Sequence, residues 1–162
     1  GFLYVGLMIK NNQPYLIEYN IRMGDPECQV ILPRLKTDLV KIIKNSVTNK
    51  LKKTKIQWKK DKSMTIVLCS KGYPGSYKKN KNIKNIDKLN LSKNDFIYHA
   101  GTKFKNGKLF SDGGRVLNIT SMGDSFFKIR LKIIKIIRKL NWKPGFYRKD
   151  IGWRVINKNA NN

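Results

Sequence analysis

The sequence predicts an α+β fold: a strand pair leading into short helices, then a small antiparallel sheet with one helix packed across it. Three observations carry this reading. Two apolar runs, 2–9 and 14–20, flank the polar turn Lys10-Asn11-Asn12-Gln13. Short strand-like segments between Met64 and Thr120 are separated by Gly- and Asn-rich turns. The stretch Asp124–Leu140 repeats apolar residues at helical spacing.

The first two runs read as a β-hairpin, because a polar turn between two apolar strands is its simplest signature. The second strand, Tyr15-Leu16-Ile17-Glu18-Tyr19-Asn20, runs into Arg22-Met23-Gly24-Asp25-Pro26-Glu27. Asp25 is a good N-cap and Pro26 suits a first helical position, so a short helix is expected to start at Pro26. Pro33 ends or kinks it. A second helix is expected over 37–46, with Leu39, Val40, Ile42, Ile43 and Val47 as its apolar stripe.

The basic, weakly patterned stretch from Lys50 to Lys62 reads as a linker, with a short strand around Ile56–Trp58. Met64–Cys69 returns to strand, and Gly72-Tyr73-Pro74-Gly75 makes a turn. Further strands are expected at 96–100, 108–110 and 115–120. In the helix Asp124–Leu140, Phe126, Phe127, Ile133, Ile134, Ile137 and Leu140 form one face. Lys128, Lys132, Lys135 and Lys139 form a basic stripe read as the solvated side of a helix packed on the sheet. The expected division is 1–55, 56–156 and a disordered polar tail at 157–162.

With 162 residues the chain suits one domain or two small ones. At 40% apolar and 28% charged residues it has a globular composition. The opening run Gly1–Ile9 is far short of the ~20 apolar residues a membrane span needs, and no basic segment precedes it. It reads as a buried strand. A chain that starts with Gly on an unpaired apolar run is expected to be cut from a longer protein. Cys28 and Cys69 form neither a CxxC pair nor a disulfide framework, which fits a reducing cytoplasm.

The formal charge of +25 attracts any polyanion. The lysines are spread along the chain among Asn and Ile, the pattern biased codon usage produces. The charge is therefore read as solvated surface, with nucleic acid bound only non-specifically.

The chemistry concentrates in Glu18-x-Asn20-x-Arg22. Glu18 and Asn20 point to one face of a strand. A carboxylate and an amide oxygen are hard ligands suited to Mg²⁺ or Mn²⁺. Arg22 shares that face if the strand continues, where it can offset charge on a phosphoryl group in transfer. A helix start at Asp25-Pro26 adds N–H groups that attract anions. Each feature alone has an ordinary reading: a solvent-facing pair, a surface charge, a helix start. Their order gives them weight.

Taken together, RMGDPECQ and the preceding IEYN resemble the phosphoribosylamine–glycine ligase family, IEYN being similar to the metal-binding strand of ATP-grasp enzymes. LPRLKTDLV at 32–40, GYPGSY at 72–77, HAGT at 99–102, GGRVL at 113–117 and YRKDIGWR at 147–154 match in the same order. The resemblance implies the C-terminal part of an ATP-grasp domain followed by the ligase's C-terminal domain. It implies a magnesium- or manganese-dependent enzyme of purine biosynthesis that joins glycine to 5-phosphoribosylamine with ATP cleavage, through a glycyl phosphate. It also implies Glu18 and Asn20 as metal ligands, Arg22 as the catalytic arginine, and Asp25 and Glu27 orienting substrate or neighbouring side chains. Gly113, Gly114 and Arg115 become a candidate ribose-phosphate site, with a hairpin turn and a solvent-facing arginine as the alternative. Cys28 stands where the family usually carries a small hydroxyl residue. His99, the single histidine, is expected to support a turn.

In this family the lysine that contacts ATP phosphates and the adenine-clamping segment belong to an N-terminal part that this chain lacks, so the chain alone is expected to be inactive. Two other readings remain: another ATP-grasp carboxylate–amine ligase, against which GDPE and HAGT argue, and a basic nucleic-acid-binding module.

Overall fold

The computed structural model describes residues 1–158. The chain divides into two compact units, Gly1–Lys60 and the remainder from Asp61.

In the first unit, β1 (Tyr4–Lys10) and β2 (Gln13–Asn20) form an antiparallel hairpin. Asn11 and Asn12 both have positive φ, 50° and 59°. That is the backbone a two-residue turn needs to match strand twist, and Asn tolerates it at low cost. A bulge falls between Gly6 and Leu7. Many of the hairpin's apolar side chains are exposed, among them Ile9, Tyr15, Ile17 and Tyr19.

Two short helices follow, α1 (Cys28–Ile31) and α2 (Leu39–Val47). Pro33 lies in a 3-10 turn, Leu32–Arg34, that ends α1. Asp38 caps α2, accepting a 2.7 Å bond from the Lys41 N–H. Of the expected α2 stripe, Val40, Ile43 and Val47 stand exposed; none of its residues is fully buried. The strand expected near Ile56–Trp58 is a single bridge, Leu35 to Trp58.

The second unit holds the core. Its main sheet contains β3 (Lys62–Ser70), β4 (Asp95–His99), β7 (Arg115–Gly123) and β8 (Gly145–Phe146), in the order β4-β7-β3-β8. Every neighbouring pair is antiparallel. A separate hairpin joins β5 (Thr102–Lys105) to β6 (Lys108–Ser111). Sequence reading missed β5 and β8. The signal for β5 was Asn106-Gly107, both at positive φ, the strongest short hairpin turn. A two-residue strand such as β8 leaves no periodicity to read.

Helix α3 (Phe126–Leu140) lies across β7 and β3. Its buried residues are Ile129, Ile133, Ile136, Ile137 and Leu140. They meet Met64, Ile66, Leu68, Leu117 and Ile119 from alternate positions of the two strands. A fully buried isoleucine contributes about 2 kcal/mol, so this layer dominates the unit's stability. The expected face needs one correction: Phe127 is 54% exposed, and Ile129 and Ile136 complete the stripe. The reason is angular, because 126, 129, 133, 136, 137 and 140 repeat every three or four residues and 127 falls outside that arc. Asn141 ends α3 in the left-handed conformation, donating its N–H to Ile137 O.

One lysine of the basic stripe is not simply solvated. Lys132 reaches 2.9 Å to the buried Asp95. The chain then forms α4 (Trp153–Lys158), so the expected disordered tail begins inside a helix; residues 159–162 lie outside the described residues. No described helix is long and apolar enough to cross a membrane.

Candidate functional site

Strand β2 delivers Glu18 and Asn20 to one face, and the two side chains meet. Asn20 Nδ2 donates to Glu18 Oε1 at 3.0 Å. Glu18 pairs across the hairpin with Gly6, where a Cβ would stand 3.1 Å from Glu18 Cγ. Gly6 thus leaves the room in which the carboxylate stem lies, and the adjacent bulge is what an isolated glycine in a strand often marks. The Asn20 amide oxygen and the second Glu18 oxygen remain as oxygen donors.

Arg22 falls outside the strand. The ladder ends where Tyr4 pairs with Asn20, so residues 21 and 22 have no strand partner and form a bend. Arg22 Nη1 donates to Met23 O at 3.0 Å. The condition for Arg22 to share the strand face, that the strand continue to it, is not met: pairing with β1 stops at Asn20.

The expected helix start is corrected as well. Asp25–Pro26 is a cis peptide, α1 begins at Cys28, and Glu27 occupies the N-cap position without a side-chain capping bond. Asp25 Oδ1 instead accepts from Gln29 Nε2 at 3.0 Å. At four residues, α1 is too short to build the aligned dipole on which anion binding depends. Glu27 folds its carboxylate over Gly24, into the space a side chain there would occupy.

In the second unit, Gly113, Gly114 and Arg115 pack against the HAGT segment. Gly113 N–H donates to Gly101 O at 3.1 Å, and Gly101 N–H to Arg115 O at 2.8 Å. A Cβ on Gly101 would lie 2.5 Å from Gly113 Cα, and one on Gly113 would lie 2.9 Å from Gly101 Cα. The Tyr73 ring covers the side of Gly114. The glycines are needed for close backbone approach rather than for a hairpin turn with exposed N–H groups, since the Gly113 N–H is already used. Arg115 is exposed and pairs in register with Cys69. Burial pushes the Cys69 thiol up, and the nearby Arg115 charge offsets part of that.

His99 ends β4 with Nδ1 2.9 Å from Thr102 Oγ1. It lines a cavity of about 480 Å³ with Lys84, Asp87 and Phe104. The site-shaping residues that sequence reading passed over are Gly6 and Gly101. A lone glycine within a strand pattern was the available signal for Gly6; Gly101 depends on contacts that sequence does not display.

Among the described residues no cluster of three His, Cys, Asp or Glu side chains is placed to hold a metal. The Glu18–Asn20 pair suits the other common arrangement, in which Mg²⁺ takes one or two protein oxygens and fills its shell with phosphate oxygens and water.

Residues 1–28, which contain the Glu18–Asn20 strand, match the phosphoribosylglycinamide synthetase ATP-grasp (A) domain. This portion is thus ATP-grasp in class. Residues 63–154 match the phosphoribosylglycinamide synthetase C domain. The chain belongs to the phosphoribosylglycinamide synthetase family. It is 46% identical over 156 residues to the phosphoribosylamine–glycine ligase of Agrobacterium fabrum, covering 96% of this chain and 36% of that one. Over 151 residues it is 44% identical to the ligase of Caldanaerobacter subterraneus, covering 93% and 36%. The crystal structure of phosphoribosylamine–glycine ligase from Thermotoga maritima superposes with a TM-score of 0.70 at 33% identity, covering 93% of this chain and 36% of that one. The chain thus spans little more than a third of the length of these relatives.

Proposed function

We propose that this chain supplies the metal-binding strand and C domain of an ATP-dependent ligase that joins glycine to 5-phosphoribosylamine. In the first step a glycine carboxylate oxygen attacks the γ-phosphorus of ATP. The new O–P bond forms as the bond to ADP breaks, giving glycyl phosphate and ADP. In the second step the amine nitrogen of phosphoribosylamine attacks the acyl carbon. The C–N bond forms, phosphate leaves with the C–O electron pair, and the amine proton is released. Phosphorylation is needed because a carboxylate is a poor electrophile without a leaving group.

Bound Mg²⁺, or Mn²⁺, supplies charge neutralisation for the triphosphate. Glu18 and Asn20 would hold it. Arg22, on the bend that follows, offsets charge on the phosphoryl group in transfer once its guanidinium leaves Met23 O. Asp25 positions Gln29, and Glu27, lying over Gly24, orients substrate or neighbouring side chains. Of Gly113, Gly114 and Arg115, the exposed Arg115 is the group that takes the ribose phosphate, with the two glycines packing the backbone beneath it. The contact that carries this reading is Asn20 on Glu18 above Gly6, inside the segment that matches the ATP-grasp domain. Two free cysteines fit a cytoplasmic setting.

The remainder of the enzyme is required. The β1–β2 hairpin carries exposed apolar side chains along both strands, including Leu7, Ile9, Leu16 and Ile17. An isolated hairpin of this kind is marginal in water; it calls for further protein to cover it. The test grafts this chain in place of the matching C-terminal part of the Agrobacterium fabrum ligase. Glycine- and phosphoribosylamine-dependent ADP release is expected from the graft and not from the 162-residue chain alone. A graft that folds but needs neither substrate for ATP cleavage overturns the assignment.

A further inference from the structure

Two cavities adjoin at the β8 edge of the main sheet. One, of about 450 Å³, is lined by Lys71, Arg138, Lys143 and Lys149, with Phe146 and Tyr147 among its walls. The other, of about 470 Å³, is lined by Lys71, Lys78 and Lys81 around Tyr77 and Pro144. Lys71 belongs to both, and its N–H donates to Pro144 O at 3.0 Å, which joins the two linings. Among the described residues neither lining contains a carboxylate, whereas the cavity beside His99 includes Asp87 and the lysine-lined cavity at the β5–β6 hairpin has Lys103 paired with Asp112 at 3.4 Å. With 10 acidic against 35 basic side chains in the chain, some one-signed surface is expected. What that ratio does not give is aromatic rings set between the cations: Phe146 is 37% exposed and Tyr77 half-buried.

We propose that this double cavity binds single-stranded nucleic acid without sequence preference, the six cations tracking phosphates and Phe146 and Tyr77 stacking bases. Phosphate neutralisation supplies affinity through counterion release. Base–aromatic stacking is tolerant of sequence because every base has a π-face. A duplex hides those faces. A lipid surface calls for large apolar side chains projecting from the cationic face, while here the rings form cavity walls.

The test is fluorescence anisotropy of the whole chain with a labelled oligouridylate of about twelve nucleotides, a length within the range such grooves accept. Lys71→Ala with Lys143→Ala should weaken binding about tenfold at moderate salt and flatten the log–log salt slope by about 1.4, at ~0.7 per phosphate contact. Lys52→Ala with Lys53→Ala, exposed in the first unit and outside both cavities, removes the same charge and should cost less than about threefold. Phe146→Ala should cost about fivefold or more for oligouridylate and leave binding of inorganic polyphosphate unchanged. The lysine positions are exposed, so those variants fold even if Phe146→Ala does not. Equal losses in the two double variants overturn the proposal, as does an inert Phe146→Ala in a folded protein. Tighter binding to phosphatidylserine vesicles than to oligouridylate does so too.

Discussion

Asn20 donates its side-chain N–H to Glu18 at 3.0 Å, and the Glu18 stem lies against Gly6 on the facing strand. Two oxygen-bearing side chains are therefore held together by one hydrogen bond and one missing Cβ. Removing the carboxylate in the grafted ligase, as Glu18→Ala, should lower turnover by at least ~10²-fold, the scale of losing one electrostatic stabiliser of a transition state. Steady-state ADP release measures this. Turnover within a factor of two of the parent would exclude Glu18 from the chemistry.

Gly6→Val tests positioning apart from ligation. Its side chain would crowd Glu18 Cγ, where even a Cβ comes to 3.1 Å. The Mg²⁺ concentration for half-maximal rate should rise about tenfold, as when a residue that orients a metal ligand is lost. A Mg²⁺ titration reads the shift; an unchanged midpoint in a folded variant means the carboxylate does not need that space.

Asp95 ties three elements of the second unit together. It accepts from Ser121 on β7, from Lys132 on α3 and from Ser92 in the preceding loop. Burial pushes its carboxyl up, but the bonds from Ser121, Lys132 and Ser92 outweigh burial and hold it below the ordinary carboxylate range. A depressed folded-state value means the contribution is present above the unfolded value of about 3.9. It is lost as pH falls through the lower folded value. Asp95→Asn should cost about 2 kcal/mol at neutral pH and flatten the acid limb of stability below about pH 4. Urea unfolding across that window tests both parts; a variant with the parent's acid limb would remove Asp95 as its cause.

The α3 face gives a paired test. Ile133 is fully buried, so Ile133→Ala should destabilise by about 3 kcal/mol through lost burial and a residual cavity. Phe127 is 54% exposed, and Phe127→Ala should change stability by less than ~0.5 kcal/mol. Chemical denaturation of both variants decides between this face and the one read from periodicity; comparable losses would restore Phe127 to the core.

Gly101→Ala should destabilise by about 2 kcal/mol, the scale of overpacking. Its new methyl would meet the Gly113 backbone at 2.5 Å and Arg115 O at 2.7 Å. Neither atom belongs to a flexible side chain that can swing away. A thermal midpoint equal to the parent's would mean the two loops separate freely.

The sequence by itself determined the hairpin, the main strands β3, β4, β6 and β7, the long helix and the family. Those rest on period, turn residues and ordered motifs, all local properties of the chain. It also placed Glu18 and Asn20 on one face, because strand geometry alternates side chains with a period of two. Tertiary structure decided the rest. Arg22 left the strand face because its pairing with β1 stops at Asn20 and the chain bends. Asp25 went to Gln29 because α1 starts three residues later than its capping signal. Phe127 left the core because the sheet selects one arc of α3. Lys132 met Asp95 because burial brought an acid under one lysine of a stripe that looks uniform in sequence. Each outcome depends on which groups meet across distant segments, and spacing along the chain carries no record of that.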